Sequence, residues 1–349
     1  MYVSEDEGKN WAPADGVPQG QAKIFLEHPF HNHHAFILTA GKIHYQTEDS
    51  GKTWRSFEMP TQPAYVPNPL SFHSDRTKYG YILYQGMVCG NDSWGSVCYQ
   101  EVRDYTCWLS TLLIAPQTYY TKQAFSDTPT KLLSDTTQCL FAHSSDDFKH
   151  DAHTDLIYCI AYDTSSLTGQ HSLSSSRLFS STDFFATSKV EDLGIGKNAK
   201  GVLGFSIISK FAIVALKDLT PRSNGEVLLY KSMNTKDWTK VLFPDVSSAR
   251  LRENEYIIAE PTTHSESLVI DVALQGRGDI GTLFTSNSNG TYFVQSLGNT
   301  NRNELGYMDF ENLYAVDEIW MTNIVANAME VEGRGAVKQL KSLITFDHG

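Results

Sequence analysis

An eight-residue pattern occurs twice almost unchanged, as Ser4-Glu5-Asp6-Glu7-Gly8-Lys9-Asn10-Trp11 and as Thr47-Glu48-Asp49-Ser50-Gly51-Lys52-Thr53-Trp54. Each copy follows a short aromatic run, Met1-Tyr2-Val3 or His44-Tyr45-Gln46. Weaker copies begin at Ser181 (with Asp183 and Phe184), at Ser232 (ending in Asp237-Trp238), at Ser286 (ending in Asn289-Gly290) and at Thr345 (with Asp347 and Gly349), and a degenerate one covers Tyr120 to Phe125. The consensus, Ser/Thr-x-Asp-x-Gly-x-Thr/Asn-Trp, has a turn-forming reason at each place. The Asp carboxylate accepts nearby backbone N–H groups, the Gly supplies a positive φ where a hairpin reverses, the hydroxyl adds a local bond, and the aromatic ring packs beneath the turn. Hairpin construction is therefore the default role of Ser4, Asp6, Gly8, Trp11, Thr47, Asp49, Gly51, Trp54, Ser181, Asp183, Trp238, Gly290 and Asp347, and direct ligand binding is its rival.

The copies recur at intervals of roughly 40 to 75 residues, the length of one four-stranded propeller blade with its loops. Between them, β-branched and aromatic runs alternate with Gly, Pro, Asn, Asp and Ser clusters, and helical periodicity is nearly absent. The runs are Ala35 to Thr39, Tyr81 to Tyr84, Leu156 to Ala161, Gly204 to Leu216, Val227 to Tyr230, Tyr256 to Ile258, Leu268 to Val272 and Trp320 to Val325. The expected fold is an all-β propeller of about six blades, cut through a blade at both ends, with residues 1–349 as one partial ring. With 28 Lys+Arg against 40 Asp+Glu, the formal net charge is −12 and no basic run stands out, so nucleic acid is not an expected partner. The longest apolar stretch, Val202 to Leu216, is interrupted by Ser206, Ser209 and Lys210 and is too short to span a bilayer. The first residues carry neither the basic nor the apolar region of a secretion signal.

These boxes occur in sialidases and in the sortilin family of sorting receptors, and the surrounding residues resemble the fungal vacuolar sorting receptors of the second group. The resemblance is carried by His28 to Phe30, Ala35 to Pro60, Pro69 to His73, Tyr81 to Gly86, Cys139 to Asp163, Ser174 to Phe185 and Leu193 to Asp218. It implies a ten-bladed luminal propeller that binds propeptides of vacuolar hydrolases, carboxypeptidase Y-like cargo, and ferries them from late Golgi to endosome and vacuole. It also implies a transmembrane helix and a cytosolic tail for retromer and adaptors, all outside these residues. No enzyme activity, cofactor or metal is expected.

One stretch departs from the resemblance. Residues 102–117, Val102 to Gln117, are extra; the length is in frame, and the first and last residues can be encoded by codons beginning GT and ending AG. The expectation is a retained intron, with a genuine insertion loop as the alternative. Removing it removes Cys107 and leaves Cys89 with Cys98 and Cys139 with Cys159 as the natural disulfides, which the resemblance supports; a zinc site from Cys139, His143, His150, His153 and Cys159 is the rival. Asn91-Asp92-Ser93 and Asn289-Gly290-Thr291 are glycosylation acceptors. His28, His31, His33 and His34 read as a solvated inter-strand loop rather than a metal site.

A sialidase needs three arginines on the substrate carboxylate, a Tyr nucleophile with a Glu partner and an acidic Asp. None of the arginines here sits in the Arg-Ile-Pro context that opens sialidase propellers. In sortilin relatives an arginine on a blade strand pairs the peptide carboxylate; the matching strand here, near Glu226 to Ser232, has none, and Arg222 is the nearest cation. Arg222 is thus the candidate ligand contact. A third expectation is that an open arc, with unpaired blade edges, has no independent activity and does not fold alone.

Overall fold

The computed structural model describes residues 1–4, 6–66, 68–88, 94, 116–162, 173–220, 226–244, 256–259, 267–273, 280–303, 308–312 and 319–346. It falls into two compact units, the first made of Met1–Ser144, His153–Tyr162 and Leu178–Val190, the second of Ser145–Ala152, Asp163–Arg177 and Glu191–Gly349.

The first unit opens with a two-stranded ribbon, β1 (Tyr2–Val3) and β2 (Ala12–Pro13). A four-stranded sheet follows, β3 (Ile24–Glu27), β4 (Ala35–Leu38), β5 (Ile43–Thr47) and β6 (Arg55–Glu58), in which spatial order repeats chain order and every pair is antiparallel. Such a meander is the unit from which propellers are built. In the next sheet β7 (Gln62–Pro63) and β8 (Leu70–Phe72) both pair with the same edge of β9 (Ile82–Met87), followed by β10 (Pro116–Thr121) and β11 (Thr130–Ser134). Pro116 and Gln117, the last residues of the 102–117 stretch, are therefore strand residues, opposite Met87 and Gly86; the rest of that stretch lies outside the described residues. The fourth sheet is β12 (Thr136–Phe141), β13 (Ile157–Tyr162), β14 (Ser176–Ser181) and β15 (Lys189–Val190).

In the second unit β16 (Val202–Ile208), β17 (Phe211–Lys217), β18 (Val227–Ser232) and β19 (Thr239–Lys240) form another meander. The run Gly204 to Leu216 is a hairpin: Ser209 takes φ 49° and the chain reverses at Ser209 and Lys210, pairing Ile208 with Phe211. Ser209 and Lys210 mark the reversal in the sequence; β17 is buried almost throughout and shows no alternation, while most of β16 is only half-buried. The last sheet joins β20 (Tyr256–Ala259), β21 (Val269–Val272), β22 (Ile280–Ser286) and β23 (Phe293–Asn301) to β24 (Phe310–Asn312), β25 (Trp320–Val325) and β26 (Leu340–Thr345) through the single pair Thr300 and Ile324. A short helix, α1 (Ala328–Arg334), sits between β25 and β26 and ends at Gly335, whose φ of 66° suits a glycine C-cap.

Packing between neighbouring sheets supplies the cores. Phe36, Leu38 and Phe57 of one sheet meet Leu70, Phe72, Ile82 and Tyr84 of the next. In the second unit Phe211, Ile213, Val227 and Leu229 meet Leu268, Ile270, Val272 and Phe284. Burying one such side chain contributes on the order of 1.5–3 kcal/mol, so these layers hold the blades face to face.

Candidate functional site

The first box turns the ribbon between β1 and β2, and five of the others lie between the spatially third and fourth strands of their sheets, at β5/β6, β10/β11, β14/β15, β18/β19 and β22/β23. In the first copy the Ser4 hydroxyl donates to Asp6 at 2.9 Å and accepts the Gly8 N–H at 2.8 Å, Asp6 accepts the Asn10 N–H at 2.8 Å, and Trp11 Nε1 donates to the Gly8 carbonyl at 3.0 Å. The second copy repeats this with Thr47, Asp49, Gly51, Thr53 and Trp54 at 2.7 to 3.2 Å. The copy at Ser181 does so with Ser181, Asp183, Phe185 and Thr187. In all three the carboxylate is spent on its own loop. The Asn10 N–H and side chain, and then Ser4, hold Asp6 below the usual range. The Thr53 hydroxyl and N–H, with Thr47, bring Asp49 to about 2, and the Thr187 hydroxyl and N–H, with Ser181, do the same for Asp183. A carboxylate held ionised this way is a turn brace, not an acid or base for chemistry.

The weaker copies show how the pattern degrades. After Thr121 the residue at the Asp place is Gln123, and Asp127, further along, bonds the Thr121 hydroxyl instead. At Gly's place stands Phe125, at φ 59°, with its ring stacked 4.3 Å from Phe57. Ala124 before it is also positive, at φ 48°, and Phe184 and Phe185 repeat the pair at φ 55° and 63°. In the fifth, Asn234 replaces Asp, and the loop is one residue shorter, so Trp238 Nε1 finds no acceptor. At Ser286 the capping amide is Asn287, which accepts from Thr291 and Tyr292, rather than the residue two places after the serine. Gly290 there has φ 72°, and a Cβ on it would lie 2.7 Å from the Phe211 ring. Asp347 lies outside the described residues.

Cys139 and Cys159 face each other across β12 and β13 and form a disulfide. This removes both sulfurs from the zinc alternative. Closing a loop of about 20 residues contributes about 3 kcal/mol in the chain-entropy account. Cys89, Cys98, Cys107 and Asn91 lie outside the described residues, as does Arg222.

The histidine expectation is corrected. Only His33 of the four is exposed; His28 is 2% and His34 4% exposed, because β3 and β4 turn them inward against Phe72 and Phe36. His28 Nδ1 accepts the Phe30 N–H at 3.2 Å, so its Nε2 carries the proton and donates to the Tyr79 carbonyl at 3.1 Å. His73 repeats the arrangement with the Asp75 N–H and the Thr154 carbonyl. His44, fully buried, accepts the Thr39 N–H and donates to the Tyr84 hydroxyl, which donates to the Thr61 carbonyl. Burial lowers His28 to about 4 and His44 to about 3, and it lowers His34 and His73 as well.

Two features were not foreseen in the sequence. A recess of about 630 Å³ opens between the first two boxes, lined by Tyr2, Trp11, Phe25 and Trp54 with Glu7 and Glu27, and its lining holds no Lys or Arg. In the second unit, Asp271 and Arg302, 0% and 1% exposed, form an ion pair at 2.6 Å. Arg302 Nη2 also donates to the Asp271 carbonyl at 3.0 Å, and the Thr300 hydroxyl donates to the other carboxylate oxygen. Among the described residues no three His, Cys, Asp or Glu side chains come together as a metal-binding group, and no helix is long and apolar enough to cross a membrane.

Repeated antiparallel meanders, each closed by an Asp-box hairpin, define a protein of the β-propeller class. The family profile described as "Sortilin, neurotensin receptor 3" matches residues 1–349, and the chain belongs to the sortilin family. It is 60% identical over 350 residues to vacuolar protein sorting/targeting protein 10 of Laccaria bicolor, covering 100% of this chain and 23% of that protein. With the protein of the same name from Mycosarcoma maydis it shares 33% over 361 residues, covering 100% of this chain and 22% of the relative. The chain thus spans less than a quarter of the length of these relatives. Among solved structures, the GH74 xyloglucanase of Xanthomonas campestris superposes with a TM-score of 0.53 at 10% identity, covering 92% of this chain and 47% of that one, a likeness of fold alone.

Proposed function

We propose that these residues are part of the luminal cargo-binding propeller of a membrane-anchored receptor that carries soluble vacuolar hydrolases from the late Golgi to the endosome. The observation that carries this is the 60% identity, sustained over the whole chain, to a protein named for vacuolar sorting. The Cys139–Cys159 disulfide supports an oxidising compartment. The receptor reading leaves no catalytic role for the chain, consistent with box carboxylates that are consumed by their own turns. Ten blades per ring, anchoring through a segment beyond these residues, a tail read by retromer and adaptors, and an origin of residues 102–117 as a retained intron belong to the same reading. Binding of a hydrolase propeptide to the full-length receptor tests it, with Arg222→Ala as the variant. Wild-type capture with several-fold weaker capture by Arg222→Ala is expected. Equal capture would remove Arg222 from the ligand contacts, and no capture by either would contradict the receptor reading.

A further inference from the structure

The hairpin between β22 and β23 carries Asn289-Gly290-Thr291 at its tip, with the Asn289 side chain exposed. The turn is closed by the Gly290 N–H donating to Asn287 at 2.9 Å and the Asn287 N–H donating to Tyr292 at 2.9 Å. Asn289 Oδ1 accepts the Thr291 N–H at 3.0 Å, folding the tripeptide into an Asx turn, while its Nδ2 makes no hydrogen bond among the described residues. The amide nitrogen is therefore free, at the surface, on a hairpin whose shape is fixed from below by Gly290 against Phe211. Directly beyond it runs an unusual strip. Tyr292 is 60% and Val294 65% exposed, side by side on one face of the strand, and Leu242, 42% exposed, is bridged to Tyr292 through the Leu242 N–H to Thr291 carbonyl bond of 2.8 Å. Contiguous apolar exposure on a soluble face ordinarily has a cover.

We infer that Asn289 carries an N-linked oligosaccharide whose first sugars lie over the Leu242, Tyr292 and Val294 strip. The inference rests on the luminal reading given above. In the transfer, Asn289 Nδ2 attacks the anomeric carbon of an oligosaccharide held on a lipid diphosphate; the Nδ2–C1 bond forms, the C1–O bond to the diphosphate breaks with its electron pair, and Nδ2 gives one proton to the transferase. The apolar faces of the sugar rings then stack on Tyr292, as sugars do on aromatic rings, and their hydroxyl edges take the place of bare side chains at the surface.

The full-length receptor, made in a fungal secretory pathway, tests this. Peptide N-glycosidase treatment in heavy-oxygen water should label the peptide holding Asn289; Thr291→Val, which keeps the backbone N–H of the turn, should abolish the label, and Thr291→Ser should retain it. An unlabelled Asn289 in a receptor that is glycosylated elsewhere overturns the site and leaves the luminal reading standing. A receptor with no N-glycan at any position overturns both. For the covering role, the unglycosylated Thr291→Val receptor should bind an apolar fluorescent dye several-fold more than wild type, and adding Tyr292→Ser and Val294→Thr should reverse that. Unchanged dye binding on loss of the glycan would show that the sugar does not cover the strip.

Discussion

Asp271→Ala destabilises the second unit by about 3–5 kcal/mol, the cost of leaving a buried charge without its partner. Arg302 is 1% exposed, so its guanidinium must either stay desolvated or pull the end of β23 from the sheet. The affected strands are β21, which carries Asp271, β22, whose Gly281 leaves room for the carboxylate, and β23, which carries Thr300. A Cβ at Gly281 would fall 2.2 Å from Asp271 Oδ1, so Gly281→Ala acts on the same pair from the other side. Hydrogen exchange in the full-length receptor checks this: β21, β22 and β23 should lose protection in both variants while β4, β9 and β13 keep theirs. Replacing both charges with apolar residues should recover part of the loss, because such pairs trade against good packing at little net cost.

Acid loosens the first unit. His28, His34, His44 and His73 have folded-state pKa values below the unfolded value of about 6.5. The unfolded chain therefore binds more protons than the folded one as pH drops below that point. Stability from the neutral rings is complete above about pH 6.5, falls with acidification, and stops falling only at the folded values, about 4 for His28 and about 3 for His44. For His44 alone the loss is about 2 kcal/mol at pH 5, in line with ~1.4 kcal/mol for each pH unit. The hydrogen bonds give the same sign without any titration value: a proton on Nδ1 of His28, His44 or His73 would point at a backbone N–H that now donates to it. Desolvation is the largest cause at all four rings, and neighbouring groups modify it. His28 faces His31 and His34, His34 lies near Glu48 and Arg55, His73 lies between Lys78, His143 and Asp75, and burial alone acts on His44. Proteolysis of the full-length receptor between pH 7 and 4.5 should show first-unit cleavage rising, and His44→Gln should flatten that rise. A first unit equally resistant across the range would contradict this.

The box hairpins were legible in the sequence because their physics is local. Ser4 to Trp11 and Thr47 to Trp54 make nearly all their characteristic hydrogen bonds within the motif, so the residues themselves specify the turn. Strand positions were legible where composition alternates or where turn residues bound the run; at Gly204 to Leu216 the two strands run together in the sequence, because only the two-residue turn Ser209-Lys210 parts them and β17, buried on both faces, shows no period. The histidines misled for the opposite reason. His28 reads as a loop residue by sequence, and what buries it is Tyr79 and Phe72, more than forty positions away. Asp271 and Arg302 are likewise brought together by the pairing of β21 with β22 and β22 with β23 and not by spacing. Disulfide pairing at Cys139 and Cys159 was legible through the resemblance and appears directly as cross-strand neighbours.

The central claim, that these residues serve cargo sorting, is tested most directly in a fungal cell whose sorting receptor carries this segment in place of its own matching residues. Retention of vacuolar hydrolases inside the cell, with secretion of those hydrolases when the segment is deleted, is the predicted result. Equal retention with and without the segment would contradict the account.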